Sequence, residues 1–249
     1  MRILANDGIA ADGKAALEAA GFEVVTETIP QEKLAGEINN FDALVVRSAT
    51  KVNAQILDAC ERLKLVVRAG VGIDNIDTAA AEKNGVTVKN TPTSSSLSVA
   101  ELVIAHMFSL ARFLFESNRK MPVVGNTEFK ELKKEYEKGV ELRDKTLGII
   151  GFGRIGAEVG KIAIGLGMEV IIYNNIPVNL ELSFDHLPFK PTPKHTVEET
   201  TLEDLCKRSD FISIHVPYTP GEPPLLSKND FATMKKGVCI INCSRGGVI

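Results

Sequence analysis

Short apolar runs recur along the first hundred positions, each separated from the next by a segment with helical spacing. "RILAND", "FEVVTE", "FDALVVRS", "KLVVRAG" and "VTVKNT" read as strands. Between them, "ADGKAALEAAG", "QEKLAGEI", "NAQILDACERL" and "IDTAAAEKNG" read as helices, the first closed by Gly21. The strand runs are continuously apolar rather than alternating, which is the signature of strands buried on both faces in a parallel sheet. Strands alternating with helices predict a doubly wound α/β domain.

The register changes at "TPTSSSLSVAELVIAHMFSLARFL". Ser98 followed by Glu101 predicts a capping box that opens a long helix. Uniform hydrophobicity predicts burial of that helix between domains or subunits, with His106 packed in a core or interface. The charged stretch "EFKELKKEYEKGVELRDK" reads as a solvated surface segment. A second α/β pattern follows: "TLGIIGFGRIG", "AEVGKIAIGLG", "MEVIIY", "LEDLCKRS", "FISIHVP", "KNDFATMKKG" and "VCIINCS". It is interrupted by a proline-rich stretch over 177–200, long for a βα connection and expected to be irregular, with His186 and His195 exposed in it. The prediction is two doubly wound parallel-sheet domains, over 1–97 and 98–249.

Composition narrows the classes. A length of 249 residues suits two domains, and 44% hydrophobic with 24% charged residues is a globular balance. A net charge of -3 gives no electrostatic reason to expect nucleic acid. No apolar run approaches the roughly 20 residues that span a bilayer. The start, "MRILANDGIA", reads as a strand rather than a signal peptide. Cys60, Cys206, Cys239 and Cys243 form no CxxC pair and no zinc spacing, so reduced thiols in a cytoplasmic protein without a metal are expected.

The most informative string is "GFGRIG", with Gly151, Gly153 and Gly156 in G-x-G-x-x-G spacing. It follows an apolar strand, opens a helix and precedes another strand, which is the context that makes the spacing a dinucleotide fingerprint. Gly151 permits the tight turn, Gly153 admits a pyrophosphate, and Gly156 allows close helix–strand packing. The helix N-terminus offers N–H groups and a positive dipole end to phosphate. Where a ribose-binding carboxylate is usual, about 20 residues on, the chain reads "VIIYNNIP", with Asn174 and Asn175. An amide still bonds a hydroxyl but does not repel a 2′-phosphate, so NAD is the expected cofactor and NADP stays open. Lys190 and Lys194 stand in the following loop, either near such a phosphate or simply exposed.

Taken together, "VVRSATKV", "RAGVGIDNID", "NTPTSSSLSVAE", "TLGIIGFGRIG", "SDFISIHVPYTP" and "INCSRGGVI" resemble the D-isomer-specific 2-hydroxyacid dehydrogenases, most of all their D-3-phosphoglycerate dehydrogenases. The resemblance implies a flavodoxin-like substrate domain followed by a Rossmann cofactor domain. It implies that Arg245 binds the substrate's carboxylate and carbonyl; an arginine leaving a strand's carboxyl end, with a planar fork, suits that task. It implies that the backbone at Gly70, Val71 and Gly72 meets the carboxylate, and that Arg47 and Ser48 hold substrate, Arg47 on a phosphate. For the cofactor it implies Arg154, Ile155 and Asn174, with Val216, Pro217 and Cys243 on the nicotinamide side. His215 is expected to be structural or a cofactor contact rather than the proton donor.

The activity so implied is NAD-dependent oxidation of D-3-phosphoglycerate to 3-phosphohydroxypyruvate, which opens serine biosynthesis. The alternatives are reduction of glyoxylate, hydroxypyruvate or another 2-oxo acid, or a non-catalytic dinucleotide-binding protein. The resemblance also implies a homodimer built through the helix from Ser98. The family's glutamate and proton-donating histidine come after the "SRGG" arginine, so a cofactor domain incomplete at its C-terminus, within a longer enzyme, is expected.

Overall fold

The structure, a computed structural model, describes residues 1–185, 187–219 and 221–249; His186 therefore lies outside the described residues. The chain forms two compact units, Met1–Ser95 and Ser96–Ile249.

Unit 1 contains strands β1 (Arg2–Ala5), β2 (Glu23–Val25), β3 (Ala43–Val46), β4 (Leu65–Arg68) and β5 (Thr87–Asn90). Helices α1 (Ala11–Ala19), α2 (Gln31–Glu37), α3 (Ala54–Asp58) and α4 (Thr78–Lys83) connect them. All pairings are parallel, in the order β2-β1-β3-β4-β5. That is the flavodoxin-like order, whose strand sequence reverses between β1 and β3. Leu4, Leu44, Val46 and Val66 carry the sheet's core and are fully buried with Leu34, Ile38, Ile56 and Leu57 from the connecting segments. Asn53 and Asp77 start their helices by accepting from the N–H groups of Ile56 and Ala80.

Unit 2 opens with α5 (Ser96–Arg112) and α6 (Leu114–Tyr136). Then follow β6 (Thr146–Ile150), α7 (Arg154–Gly165), β7 (Glu169–Tyr173), β8 (Glu181–Ser183), β9 (Lys194–Thr196) and β10 (Glu198–Glu199). The last elements are α8 (Leu202–Arg208), β11 (Phe211–Ile214), α9 (Lys228–Thr233) and β12 (Cys239–Asn242). The main sheet is parallel throughout, in the order β10-β7-β6-β11-β12. This is the Rossmann arrangement, with its reversal between β6 and β11. Both units are thus α/β with a doubly wound parallel sheet.

Three elements differ from the pattern read in the sequence. The proline-rich stretch is not wholly irregular: β8 and β9 form an antiparallel pair, and β10 joins the main sheet beside β7. Strands of two or three residues between prolines are too short to show a period. Helix α5 begins at Ser96, so Ser98 lies in its first turn rather than capping it. The helix buries one stripe, Ala100, Val103, Ile104, Met107 and Ala111, and packs on α7. Its other face leaves Leu97, Leu102, Phe108 and Leu110 exposed, and His106 is exposed rather than packed in the core. The charged segment forms a helical second half of α6 after a break at Glu128 (φ -118°, ψ 21°), and it folds back so that Lys120 pairs with Glu135 at 3.0 Å; Leu132 is its buried residue. Phe113 turns the chain between α5 and α6 in the left-handed region, φ 53°, so the helices are bent by 56°. Among the described residues no single helix is long and apolar enough to cross a membrane.

Gly148 lies in the middle of β6, whose five residues are all buried. A Cβ there would stand 2.2 Å from Ser209 Oγ and 2.6 Å from Leu205 Cδ2. Ser209 cannot swing aside freely, because its hydroxyl donates to the Leu205 carbonyl at 2.7 Å and the residue is fully buried. Gly148→Ala is therefore expected to destabilise unit 2 by about 1–3 kcal/mol through overpacking against α8, read as a lowered urea midpoint.

Candidate functional site

In unit 2 the chain turns out of β6 at Gly151, with φ 92°. A Cβ at Gly151 would lie 2.8 Å from both the His215 carbonyl oxygen and Val216 Cγ1, so the chain leaving β11 closes over this turn too tightly for a side chain. Gly156, in the first turn of α7, would put a Cβ 2.4 Å from the Gly151 carbonyl oxygen. At Gly153, the residue before α7, a Cβ would meet no atom within 4 Å and would face open space. The first bond of α7 runs from the Ala157 N–H to the Gly153 carbonyl at 2.9 Å. The N–H groups of Arg154, Ile155 and Gly156 thus precede the helical ladder, in the position that favours an anion. Two glycines closed by packing and a third beside open space fit a dinucleotide pyrophosphate.

Asn174, at the end of β7, accepts from the Phe152 N–H at 2.8 Å and donates through Nδ2 to the Ile176 carbonyl at 2.9 Å. Its amide anchors the glycine turn, with one lone pair and one N–H left over for a ligand. Past β11, His215 is half-buried, Val216 is half-buried and Pro217 exposed. The His215 ring stands 2.8 Å from the buried Ser213 hydroxyl, through Nε2, and its backbone N–H bonds the Ile150 carbonyl at 2.8 Å. Burial pushes its pKa down to about 4, so the ring is neutral at pH 7 and is not a charged proton donor there.

Past β12, Asn242 folds the Ser-Arg-Gly-Gly turn. Its Oδ1 accepts from the Ser244 N–H at 3.0 Å and the Ser244 hydroxyl at 2.8 Å, and its Nδ2 donates to the Arg245 carbonyl at 2.8 Å. Arg245 is half-buried and donates through Nη1 to the Ser244 carbonyl at 2.9 Å. Burial raises the pKa of the half-buried Cys243 thiol, keeping it protonated. Cys243 lines a cavity of about 590 Å³ with Asn242, Ile240 and the α5–α6 residues His106, Leu110 and Phe115. Beyond Arg245 the chain tucks back, with Val248 buried and its carbonyl accepting from the Leu225 N–H at 2.9 Å.

In unit 1, Arg47 and Ser48 are exposed on the turn after β3, and Gly70, Val71 and Gly72 form the turn after β4. The Gly70 N–H donates to the Arg68 carbonyl at 2.9 Å, so of the three amides expected to face a carboxylate this one is spent internally. A Cβ at Gly70 would lie 1.8 Å from Arg68 Nη1, which places the Arg68 guanidinium over the glycine. Residues that the sequence did not single out hold both turns. Asp7 accepts from Arg47 and Thr50, Asn75 donates to the Arg47 and Thr50 carbonyls, and Asn90 donates to the Val71 carbonyl at 2.6 Å. Their only sequence signal is position: each lies at or just past a strand's carboxyl end or within the glycine loop.

Residues 104–249 match the family model described as the NAD binding domain of D-isomer specific 2-hydroxyacid dehydrogenases. The chain belongs to that family. It is 42% identical over 228 residues to a hydroxypyruvate reductase of Thermotoga maritima, covering 92% of this chain and 68% of that protein. It is 38% identical to a D-3-phosphoglycerate dehydrogenase of Methanocaldococcus jannaschii, covering the whole chain but 45% of that protein, so it spans less than half of that relative's length. The D-lactate dehydrogenase of Aquifex aeolicus, solved with NAD and lactic acid, superposes with TM-score 0.75 at 28% identity, over all of this chain and 70% of that one. Unit 2 is accordingly the family's Rossmann NAD(P)-binding domain.

His215 yields a prediction. Its folded pKa of about 4 lies below the ordinary value of 6.5 for an imidazole, so between these values the unfolded chain binds the proton and the folded one does not. Stability is then expected to be insensitive to this group above pH 6.5 and to fall as pH drops toward 4. His215→Gln should flatten that part of the pH–stability curve measured by denaturant titration; an unchanged slope would place the ring in solvent.

Proposed function

We propose that the chain carries the cofactor and substrate machinery of a nicotinamide-dependent D-2-hydroxyacid dehydrogenase that interconverts short 2-hydroxy and 2-oxo acids, with hydroxypyruvate and glyoxylate as the preferred class. The observation that carries this is Arg245, held past the carboxyl end of β12 in a turn fixed by three hydrogen bonds of the Asn242 amide. A guanidinium held there matches a carboxylate bidentately and stabilises negative charge on the neighbouring oxygen. The hydroxypyruvate reductase relative, 42% identical, supports the substrate class. When bound, the dinucleotide supplies the hydride acceptor or donor. Gly151, Gly153 and Gly156 shape its turn, while Arg154 and Ile155 offer backbone N–H groups to its phosphates. Asn174 stands near its ribose, and Val216, Pro217 and Cys243 line its nicotinamide side. NAD is the proposed cofactor. With Asn174 in place of a carboxylate, discrimination against NADP is expected to be modest.

In unit 1 the Val71 and Gly72 amides, which donate to no described residue, are proposed to bind the substrate carboxylate with Ser48. A second reading, D-3-phosphoglycerate oxidation, is favoured by one feature: Arg68 donates through Nε to the Arg47 carbonyl at 3.3 Å, so its guanidinium stands at the exposed turn that also carries Arg47, and two arginines at one turn suit a phosphate. The relative from Methanocaldococcus jannaschii supports it. We further propose a cytoplasmic homodimer, formed through the α5–α6 surface where Leu97, Leu102, Leu110, Phe115 and Val123 are exposed.

Arg245→Lys in the intact enzyme is expected to cut kcat/KM by about 100-fold or more for every acid, because the bidentate fork is lost. Retention of full activity would remove Arg245 from catalysis. Arg47→Ala separates the two substrate classes. If wild type prefers 3-phosphohydroxypyruvate and the substitution abolishes that preference, the enzyme is assigned to phosphorylated acids; if wild type turns over hydroxypyruvate faster and the substitution leaves that unchanged, the first reading is supported.

A further inference from the structure

We propose that Asp7 is a positioning residue for the anionic substrate: its carboxylate sets the turn that carries Arg47 and Ser48 and, through Thr50 and Asn75, locks that turn to the Gly70–Gly72 loop. This rests on the substrate-binding role proposed above for those two segments. The topology puts Asp7 where it can act, just past β1, at the strand reversal between β1 and β3.

Asp7 Oδ2 accepts from the Arg47 N–H at 2.6 Å and the Thr50 N–H at 3.1 Å, and Oδ1 accepts from the Thr50 hydroxyl at 2.5 Å. It therefore meets Arg47 at the backbone. The neighbouring Asn6, 2% exposed, donates to the Thr50 hydroxyl oxygen at 2.9 Å, so that hydroxyl is left to give its own proton to Asp7. Burial by itself would raise the Asp7 pKa, but the hydrogen bonds from Thr50 and Arg47 outweigh it and hold the carboxyl below its ordinary range. The carboxylate is thus ionised at neutral pH and engaged by the turn through both oxygens.

The same turn is pinned from the other side. Asn75 Nδ2 donates to the Arg47 carbonyl at 2.9 Å and the Thr50 carbonyl at 2.8 Å. The Val52 N–H bonds the Asn75 carbonyl, and the Asp77 N–H bonds the Val52 carbonyl, both at 2.8 Å. Residues 47–52 and 75–77 are therefore zipped into one body, and Asn75 lies three residues beyond Gly72. Removing the carboxylate frees three donors at one end of that body, and the segment bearing Arg47 and Ser48 loses its fixed geometry.

The test compares wild type, Asp7→Asn and Asp7→Ala in the intact enzyme. The readouts are steady-state kinetics with hydroxypyruvate and 3-phosphohydroxypyruvate, NADH affinity by fluorescence, and amide hydrogen exchange. Asp7→Ala is expected to raise KM for the acid about tenfold or more with kcat changed less than about threefold and NADH affinity unchanged. Exchange should accelerate at the Arg47 and Thr50 amides while Leu44 and Val46 in β3 stay protected. Asp7→Asn, which keeps the shape and one acceptor, should recover part of the affinity. The proposal is overturned if KM is unchanged in an active enzyme, or if kcat, NADH affinity and β3 protection all fall together as in a general loss of stability. A wild type that neither binds nor turns over either acid overturns the proposed function first, and the role of Asp7 with it.

Discussion

Unit 2 depends on how closely the backbone leaving β6 passes under the backbone leaving β11. At Gly151 the two chains approach until a single Cβ would reach within 2.8 Å of a carbonyl oxygen. That contact lets the chain reverse directly into α7 at the strand reversal of the sheet. The helix consequently presents its first N–H groups at the mouth of the crevice, beside the open space at Gly153. Asn174 reinforces it by tying the Phe152 N–H to the strand on the other side. A larger residue at Gly151 would push β11 away and tilt the helix, so phosphate affinity and sheet packing rest on the same missing side chain.

Unit 1 solves the corresponding problem with polar side chains instead of a missing one. Its reversal lies between β1 and β3, and there Asn6, Asp7, Thr50 and Asn75 bind the turns in a connected network. Charge-assisted bonds to backbone N–H groups are stronger than neutral ones and are directional, so they fix the exposed Arg47–Ala49 turn between the buried Val46 and Thr50. The two units thus reach the same end, a rigid carboxyl edge of a parallel sheet, by steric closure in one and by hydrogen bonding in the other. The difference fits the proposed tasks. A dinucleotide needs the main chain bare, whereas a small acid needs donors held at fixed places.

Much of this was legible in the sequence. The continuous apolar runs marked the long parallel strands, and the glycine spacing between an apolar strand and a helix marked the nucleotide turn. Other features left no trace. β10 joins the main sheet with two residues, too few to show any period. Helix α5 is apolar enough to suggest burial all round, yet one side of it, from Ser96 to Ala111, is buried among the described residues, and His106 lies on the exposed side. Gly70 has the setting of an outward-facing amide, but its N–H closes on Arg68. Asp7 sits in a stretch, "ANDGIA", that carries no motif at all; its three donors come from residues 40 or more positions away.

The sequence by itself determined the alternation of strand and helix, the number of α/β units and the identity of the nucleotide turn, because period, glycine placement and helix starts are local properties. The tertiary structure alone decided which strands are neighbours, and hence where each sheet reverses. It also decided which polar side chains beside that reversal are engaged: Asn174 on the glycine turn, Ser213 on His215, Asp7 on Arg47 and Thr50. Most of those partners are distant in the chain, and only the order of strands brings them within hydrogen-bonding reach.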